Sequence, residues 1–156
     1  SQDGYCHYDL SKTPPEDTNP WTSEPVVPGA VLDSCYHVTK QWNCTGNCVP
    51  WSEAVYALTD ALATGHVLSV AIDATNPDFY YYHSGYYYSD QCKSGVEDLD
   101  HQVLAVGYTE DPSGQRYTRI KNSWSDHWGQ GGFVLISQQN NCCGVGTQPT
   151  FVDVQA

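Results

Sequence analysis

From Trp51 to the C-terminus the apolar positions recur with periods that name one helix and several strands. In "WSEAVYALTDALATG" (51–65), Val55, Leu58 and Leu62 fall at helical spacing with Ala54 and Ala61 beside them. Ser52 is placed to cap the first turn and Gly65 to stop the last. "HVLSVAID" (66–73) is a short, nearly unbroken apolar run and predicts a buried strand. An aromatic hairpin is expected next, over "FYYYHSGYYY" (79–88). Strands follow at 101–108, 115–121 and 132–137, with "PSGQ" (112–115) as the turn joining two of them. One helix leading into several antiparallel strands makes an α+β arrangement, with the sheet rolled toward a barrel. Residues 1–50 read differently. They are rich in proline, hold Cys6, Cys35, Cys44 and Cys48, and show little apolar periodicity, so this region reads as loop tied down by cross-links.

Length and charge narrow the possibilities. A chain of 156 residues supports one domain with a real core and is short for two. Eighteen acidic against six basic side chains give a formal charge of −12. Nucleic acid and anionic membrane surfaces both call for concentrated Lys and Arg, so neither is expected as a partner. No run approaches the roughly twenty apolar residues of a membrane span. "SQDGYCHYDL" lacks the charged and apolar regions of a signal peptide, so either processing has removed one or the chain begins inside a longer product.

Seven cysteines (6, 35, 44, 48, 92, 142 and 143) are many for a cytosolic protein of this size. Asn43-Cys44-Thr45 is a glycosylation sequon in a polar segment, and with the cysteines it favours an oxidising, secretory-route compartment. The competing reading is a zinc site of Cys35, His37, Cys44 and Cys48. Those spacings match no familiar zinc pattern closely, so disulfides take precedence. Seven is odd, which leaves one thiol free or paired outside the chain.

Candidate chemistry sits in two stretches. In "DHQVLAVGY", strict alternation places His101, Val103 and Ala105 on one face of a strand and Gln102, Leu104 and Val106 on the other. Taken alone, a histidine opening an apolar strand is a core or edge residue, and Asn122, closing "YTRIKN", is a turn residue. Together they have a joint explanation. An asparagine oxygen bonded to one imidazole nitrogen fixes the tautomer and ring plane, leaving the other nitrogen free to serve a nucleophile. An indole over that pair, such as Trp124, keeps competing water off the bond.

With both stretches side by side the chain resembles the papain-like cysteine proteases, the family of the lysosomal cathepsins. "DLDHQVLAVGY" resembles the family's histidine strand, "IKNSWSDHWGQGGF" its asparagine motif and "NNCCGVGTQPTF" the segment near its C-terminus. "VLSVAIDA" and the opening "QDGYC" are similar to further stretches, in the family's order. The resemblance covers about residues 51 to 156 well and 1 to 8 loosely. It implies a papain-like fold: 1–50 as a cysteine- and proline-rich loop region with an insertion, and 51–156 as the β-rich right-hand lobe, mainly the antiparallel β-barrel half with one helix.

By the same resemblance His101 is the catalytic imidazole, Asn122 its orienter and Trp124 the shield. Trp128 lies on the leaving-group side. Ala71, Gln102 and Gln148 line the S2 pocket, as wall, side and base, with Asp100 also contacting substrate. Cys92 and Cys143 are implied to be bridged, and no metal or cofactor is implied.

The family's nucleophilic cysteine lies about 130–150 residues before the histidine, in a Gln…Cys-Gly-Ser-Cys-Trp type stretch. Only 100 residues precede His101, and none of them forms such a stretch. The chain is therefore expected to be the C-terminal portion of the fold, its nucleophile and oxyanion-hole glutamine lying on an N-terminal partner half. Cys6 is the expected cross-link to that half. Three departures from the family pattern stand out: Gln102 for a small residue, Ser125 for the glycine after the motif's tryptophan, and Thr109 for a glycine after "VGY".

The leading expectation is a secreted or lysosomal (vacuolar) cysteine endopeptidase acting on peptides and proteins. The alternative is a papain-like glycoprotein that no longer cleaves and serves a binding or structural role. An unrelated disulfide-rich binding module ranks last, because it leaves His101, Asn122 and Trp124 unexplained. The tyrosines of 79–88 suggest a sugar-stacking or adhesive surface less than simple packing on a half-buried strand.

Overall fold

The computed structural model describes the backbone of residues 8–9, 16–17, 31–38 and 51–155, and side chains for Val38 and residues 52–152. The chain divides into two compact units, residues 1–36 with 152–156 and residues 37–151. In the first, β1 (Tyr8–Asp9) pairs antiparallel with β2 (Glu16–Asp17), and β3 (Val31–His37) neighbours β9 (Thr150–Gln155). These strands fall in the region read from sequence as loop. Prolines cluster ahead of β3, but "VLDSCYH" itself contains neither proline nor glycine to interrupt an extended backbone.

The larger unit opens with α1 (Trp51–Ala63). The helix begins one residue before Ser52, which lies within the first turn instead of capping it. Its end follows the expectation. Gly65 adopts φ +92°, its N–H donates to Leu62 O (3.1 Å), and the His66 N–H donates to Ala61 O (3.3 Å). These are the two bonds that close a helix around a left-handed residue.

The strands of this unit are β4 (Leu68–Ile72), β5 (Tyr86–Tyr87), β6 (His101–Glu110), β7 (Arg116–Lys121) and β8 (Phe133–Ser137). They lie in the order β4-β6-β7-β8-β5, and Thr150, at the start of β9, pairs with Ser69 on the free side of β4. All pairings between them are antiparallel except β5 with β8. Alternation then sorts the side chains. Leu68, Val70 and Ile72 face Ala105, Val103 and His101 on the core side, while Ser69 and Ala71 face Leu104 and Gln102 on the other. Leu58, Leu68, Ile72, Ile120, Val134 and Ile136 form the centre of the core, with Leu62 from α1 and Phe79 packed among them. The architecture is the α+β one expected from the sequence.

The tyrosine-rich segment is not a hairpin. Residues Pro77–Tyr80 form a single helical turn (α2), and β5 runs parallel to β8 instead of folding back on its own neighbour. Pro77 at the first helical position and Asn76 before it start the turn, a signal outweighed at the sequence level by the β propensity of the tyrosines. Phe79, Tyr82 and Tyr87 enter the core, whereas Tyr80, Tyr81, Tyr86 and Tyr88 remain exposed.

Candidate active site

β6 and β7 bring the two key side chains together at one end of the sheet. His101 opens β6, and Asn122 immediately follows β7. The Asn122 N–H donates to Gly132 O (2.9 Å), closing the loop that carries both tryptophans. His101 Nε2 and Asn122 Oδ1 are 2.8 Å apart. The same Oδ1 accepts the backbone N–H of Ser123 at 2.8 Å.

The second bond decides the first. A backbone N–H can only donate, so the amide oxygen must face Ser123, and the imidazole nitrogen sharing that oxygen must carry the proton. Nδ1 is thereby the unprotonated nitrogen of the neutral ring. Among the described residues, the buried Asn122 Nδ2 has no hydrogen-bond partner. An idle buried donor costs roughly 1–3 kcal/mol, and turning the amide over would sacrifice both bonds to its oxygen.

Trp124 packs on this pair. Its ring stacks on His101 at 4.9 Å between centroids and on Tyr80 at 4.9 Å, and meets Phe79 and Trp128 edge-on at 5.5 Å. Trp128 is fixed by its indole N–H, shared between the carbonyls of Phe79 (3.3 Å) and Tyr80 (3.1 Å). The helical turn of α2 is thus what the motif's second tryptophan holds. The tight return at 129–132 has Gly129, Gly131 and Gly132 at positive φ. Ser125 also adopts φ +92°, an uncommon conformation for a residue with a side chain.

Asp100 is tied down next to the histidine: its N–H donates to Ile72 O (3.1 Å) and its carboxylate accepts the Ala74 N–H (2.9 Å). Ala71 and Gln102 are direct cross-strand partners. The Gln102 amide donates to Ser69 Oγ at 2.7 Å, which draws the side chain along β4. Thr150 pairs with Ser69, and the antiparallel direction carries Gln148 toward the level of Ala71. Sequence reasoning gave no sign of Ser69 as the anchor of Gln102 or of the Ser123 N–H as the anchor of Asn122. Tyr80 was legible only as one tyrosine of a run attributed to packing.

Cys92 and Cys143 are joined by a disulfide. Cys142 is a buried free thiol against Ser89 O and the Cys143 sulfur. These three are the one group of metal-ligand type among the described residues, and two of them are oxidised together. Cys6, Cys44, Cys48 and Asn43 lie outside the described residues, as do the side chains of Cys35 and His37. A cavity of about 870 Å³ lined by Ser52, Tyr56, Glu110, Arg116 and Gln138 includes none of the residues around His101.

An imidazole bonded to an amide oxygen thus lies under an indole at the rim of a mixed sheet. The sequence matches the family described as papain family cysteine protease over residues 12–152, and the chain belongs to that family. It is 48% identical over 122 residues to a cathepsin L-like peptidase of Aedes aegypti, covering 76% of this chain and 35% of the relative. It is 42% identical over 99 residues to procathepsin L of Rattus norvegicus, covering 61% of this chain and 29% of the relative. Among solved structures it is similar to bromelain from Ananas comosus in complex with the E64 inhibitor. That match has a TM-score of 0.62 at 25% identity and covers 80% of this chain and 51% of that one. Digestive procathepsin L 3 of Tenebrio molitor matches with a TM-score of 0.56 at 36% identity, covering 62% and 31%. The chain spans about a third of the length of the curated relatives it matches.

Proposed function

We propose that this chain is the C-terminal part of a papain-type cysteine endopeptidase, with His101 as its catalytic imidazole and Asn122 as the residue that positions it. The observation that carries this is the 2.8 Å His101–Asn122 bond with its donor direction set by Ser123. The nucleophile comes from an N-terminal half of the same fold, on a separate chain or a longer product. Its thiolate, paired with the His101 imidazolium, attacks the peptide carbonyl. The imidazolium then protonates the leaving amine, and the acyl-enzyme is hydrolysed by water activated by the same ring. Asn122 holds the ring through that cycle, and Trp124 excludes water from the bond between them. Trp128 flanks the leaving group. Ala71, Gln102 and Gln148 line the S2 pocket, and Asp100 meets substrate beside His101. A secreted or lysosomal setting accords with the disulfide and with the sequon at Asn43.

A second reading, a papain-like glycoprotein that no longer cleaves, draws support from Ser125. It occupies a left-handed position within the asparagine motif where the family resemblance expects glycine.

The test is co-production of this chain with the N-terminal half encoded upstream, followed by peptide hydrolysis and E64 labelling. Turnover abolished by His101→Ala, with labelling of one thiol on the partner half, is the expected result. No turnover and no labelled thiol in a folded assembly gives the second reading. The chain produced alone is expected to show no sharp, reversible thermal transition, and observing one would remove the need for a partner half.

A further inference from the structure

Three sulfur atoms meet beneath the loop that leads into β6. Cys142 Sγ lies 3.6 Å from Cys143 Sγ, and the sulfurs of Cys92, Cys142 and Cys143 all lie within 4.8 Å of one another. Only one pair is bridged, Cys92 with Cys143. The backbone distinguishes the two adjacent cysteines. Cys142 has φ −48° and ψ 129°, an ordinary extended conformation, whereas Cys143 has φ 53° and ψ 16°. That left-handed region is disfavoured for a side chain without the local hydrogen bonding of Asn or Asp. The existing disulfide therefore fastens the more strained of two neighbours, with an unstrained thiol 3.6 Å from the Cys143 sulfur and within 4.8 Å of the Cys92 sulfur.

We propose that Cys142 and Cys143 are alternative partners of Cys92, interconverted by internal thiol–disulfide exchange. The step balances within the cluster. The Cys142 thiolate forms a bond to Cys92 Sγ, and the Cys92–Cys143 bond breaks. Its electron pair leaves on Cys143 as a thiolate, which takes up a proton equivalent to the one Cys142 released. No oxidant or reductant is consumed. Burial pushes the Cys142 thiol pKa up, so the resting cluster holds a thiol and exchange follows local opening of the loop.

The linkage chosen bears on the start of β6. Cys143 O accepts the Asp73 N–H (2.9 Å), the Asp73 carboxylate accepts the Lys93 N–H (2.7 Å), and Asp100 binds Ala74 N–H one residue before His101. Shifting the bridge by one residue pulls on every one of these ties. The inference rests on the sulfur geometry and stands apart from the protease reading.

The wild-type protein, with its disulfides intact, is incubated in a glutathione redox buffer, quenched with acid and alkylated. Tandem mass spectrometry of the non-reduced digest then locates the alkylated cysteine. The expected result is a Cys92–Cys142 bridge with alkylated Cys143 in roughly 1–10% of molecules, as for a minor state close in energy. Cys142→Ser is expected to abolish that species, and Cys143→Ser to carry the Cys92–Cys142 bridge fully. A wild-type digest with Cys92–Cys143 as the sole linkage of these three residues overturns the proposal, whether or not the variants fold.

Discussion

Among the described residues Asn122 uses its amide oxygen twice and its nitrogen not at all, and both halves of that asymmetry have consequences. Asn122→Ala removes the idle donor together with the bond to His101, so the assembled protein is expected to keep its stability within about 1 kcal/mol. The ring loses its orientation, and kcat is expected to fall by roughly 10²–10⁴, the share of a well-placed general acid–base. KM should change little. Steady-state kinetics beside denaturant unfolding separate the two effects, and a variant that loses stability and activity in proportion speaks against a positioning role.

Gln102 is the second residue whose chemistry is readable singly. Its amide, held by Ser69 beside Ala71, adds volume and polarity to the proposed S2 pocket. Burying an apolar P2 side chain against that amide breaks the bond to Ser69 without replacement. The wild type is expected to handle P2 Phe or Leu poorly, and Gln102→Gly to raise kcat/KM for them by roughly 10–100-fold. A P2-varied peptide series measured on both proteins decides it. Equal preference for Phe and Leu before and after the change places Gln102 outside the pocket.

At the scale of elements, hydrophobic period did most of the predicting. α1, β4 and β6 to β8 were legible because alternation and helical spacing are set by which face is buried, and the core faces are continuous. The asparagine and histidine were legible as a pair because each ends a strand with a polar group that a core does not accommodate. The 77–88 segment was not. Six tyrosines favour a strand locally, but Phe79, Tyr82 and Tyr87 reach the core from a helical turn and a short strand, a tertiary outcome with no local period. The Ser69 and Ser123 anchors were invisible because they depend on register and on one loop's path.

Two glycines test the elements that punctuate this order. Gly65 has φ +92° and open space where a Cβ would go, so Gly65→Ala costs conformation alone, about 1 kcal/mol. At Gly129, with φ +58°, a Cβ would lie 2.6 Å from the Phe133 carbonyl oxygen and 3.1 Å from the Tyr82 ring. Gly129→Ala is expected to cost roughly 2–4 kcal/mol by adding collision to strain. Urea midpoints of the assembled protein compare them, and equal losses would show that the 129–132 return yields to the added methyl.

For the molecule as a whole, acidity is the dominant global property, with a formal charge of −12. One buried carboxylate stands apart. Burial pulls the Asp73 pKa upward, but the Thr75 hydroxyl and the Lys93 and Thr75 N–H groups outweigh it and hold the carboxyl below its ordinary 3.8. A depressed pKa in the folded state contributes stability that is fully present above about pH 4. That contribution is lost as pH falls through the folded value. Asp73→Asn is expected to destabilise by roughly 1–3 kcal/mol near neutrality and to converge with the wild type in strong acid. Urea unfolding between pH 2 and 7 reads the convergence, and parallel curves would remove Asp73 from the acid response.

The stack of Trp124 on His101 has an optical side. Indole emission is quenched by an adjacent imidazolium far more than by neutral imidazole, and 4.9 Å between ring centroids is contact range. The ring proposed to carry protons is thereby wired to a chromophore. A fluorescence titration, with Trp124→Phe as the blank for the other four tryptophans, should show emission brightening as the proton leaves His101. Docking of the proposed partner half against this ring would then be visible in one cuvette, before any substrate is added.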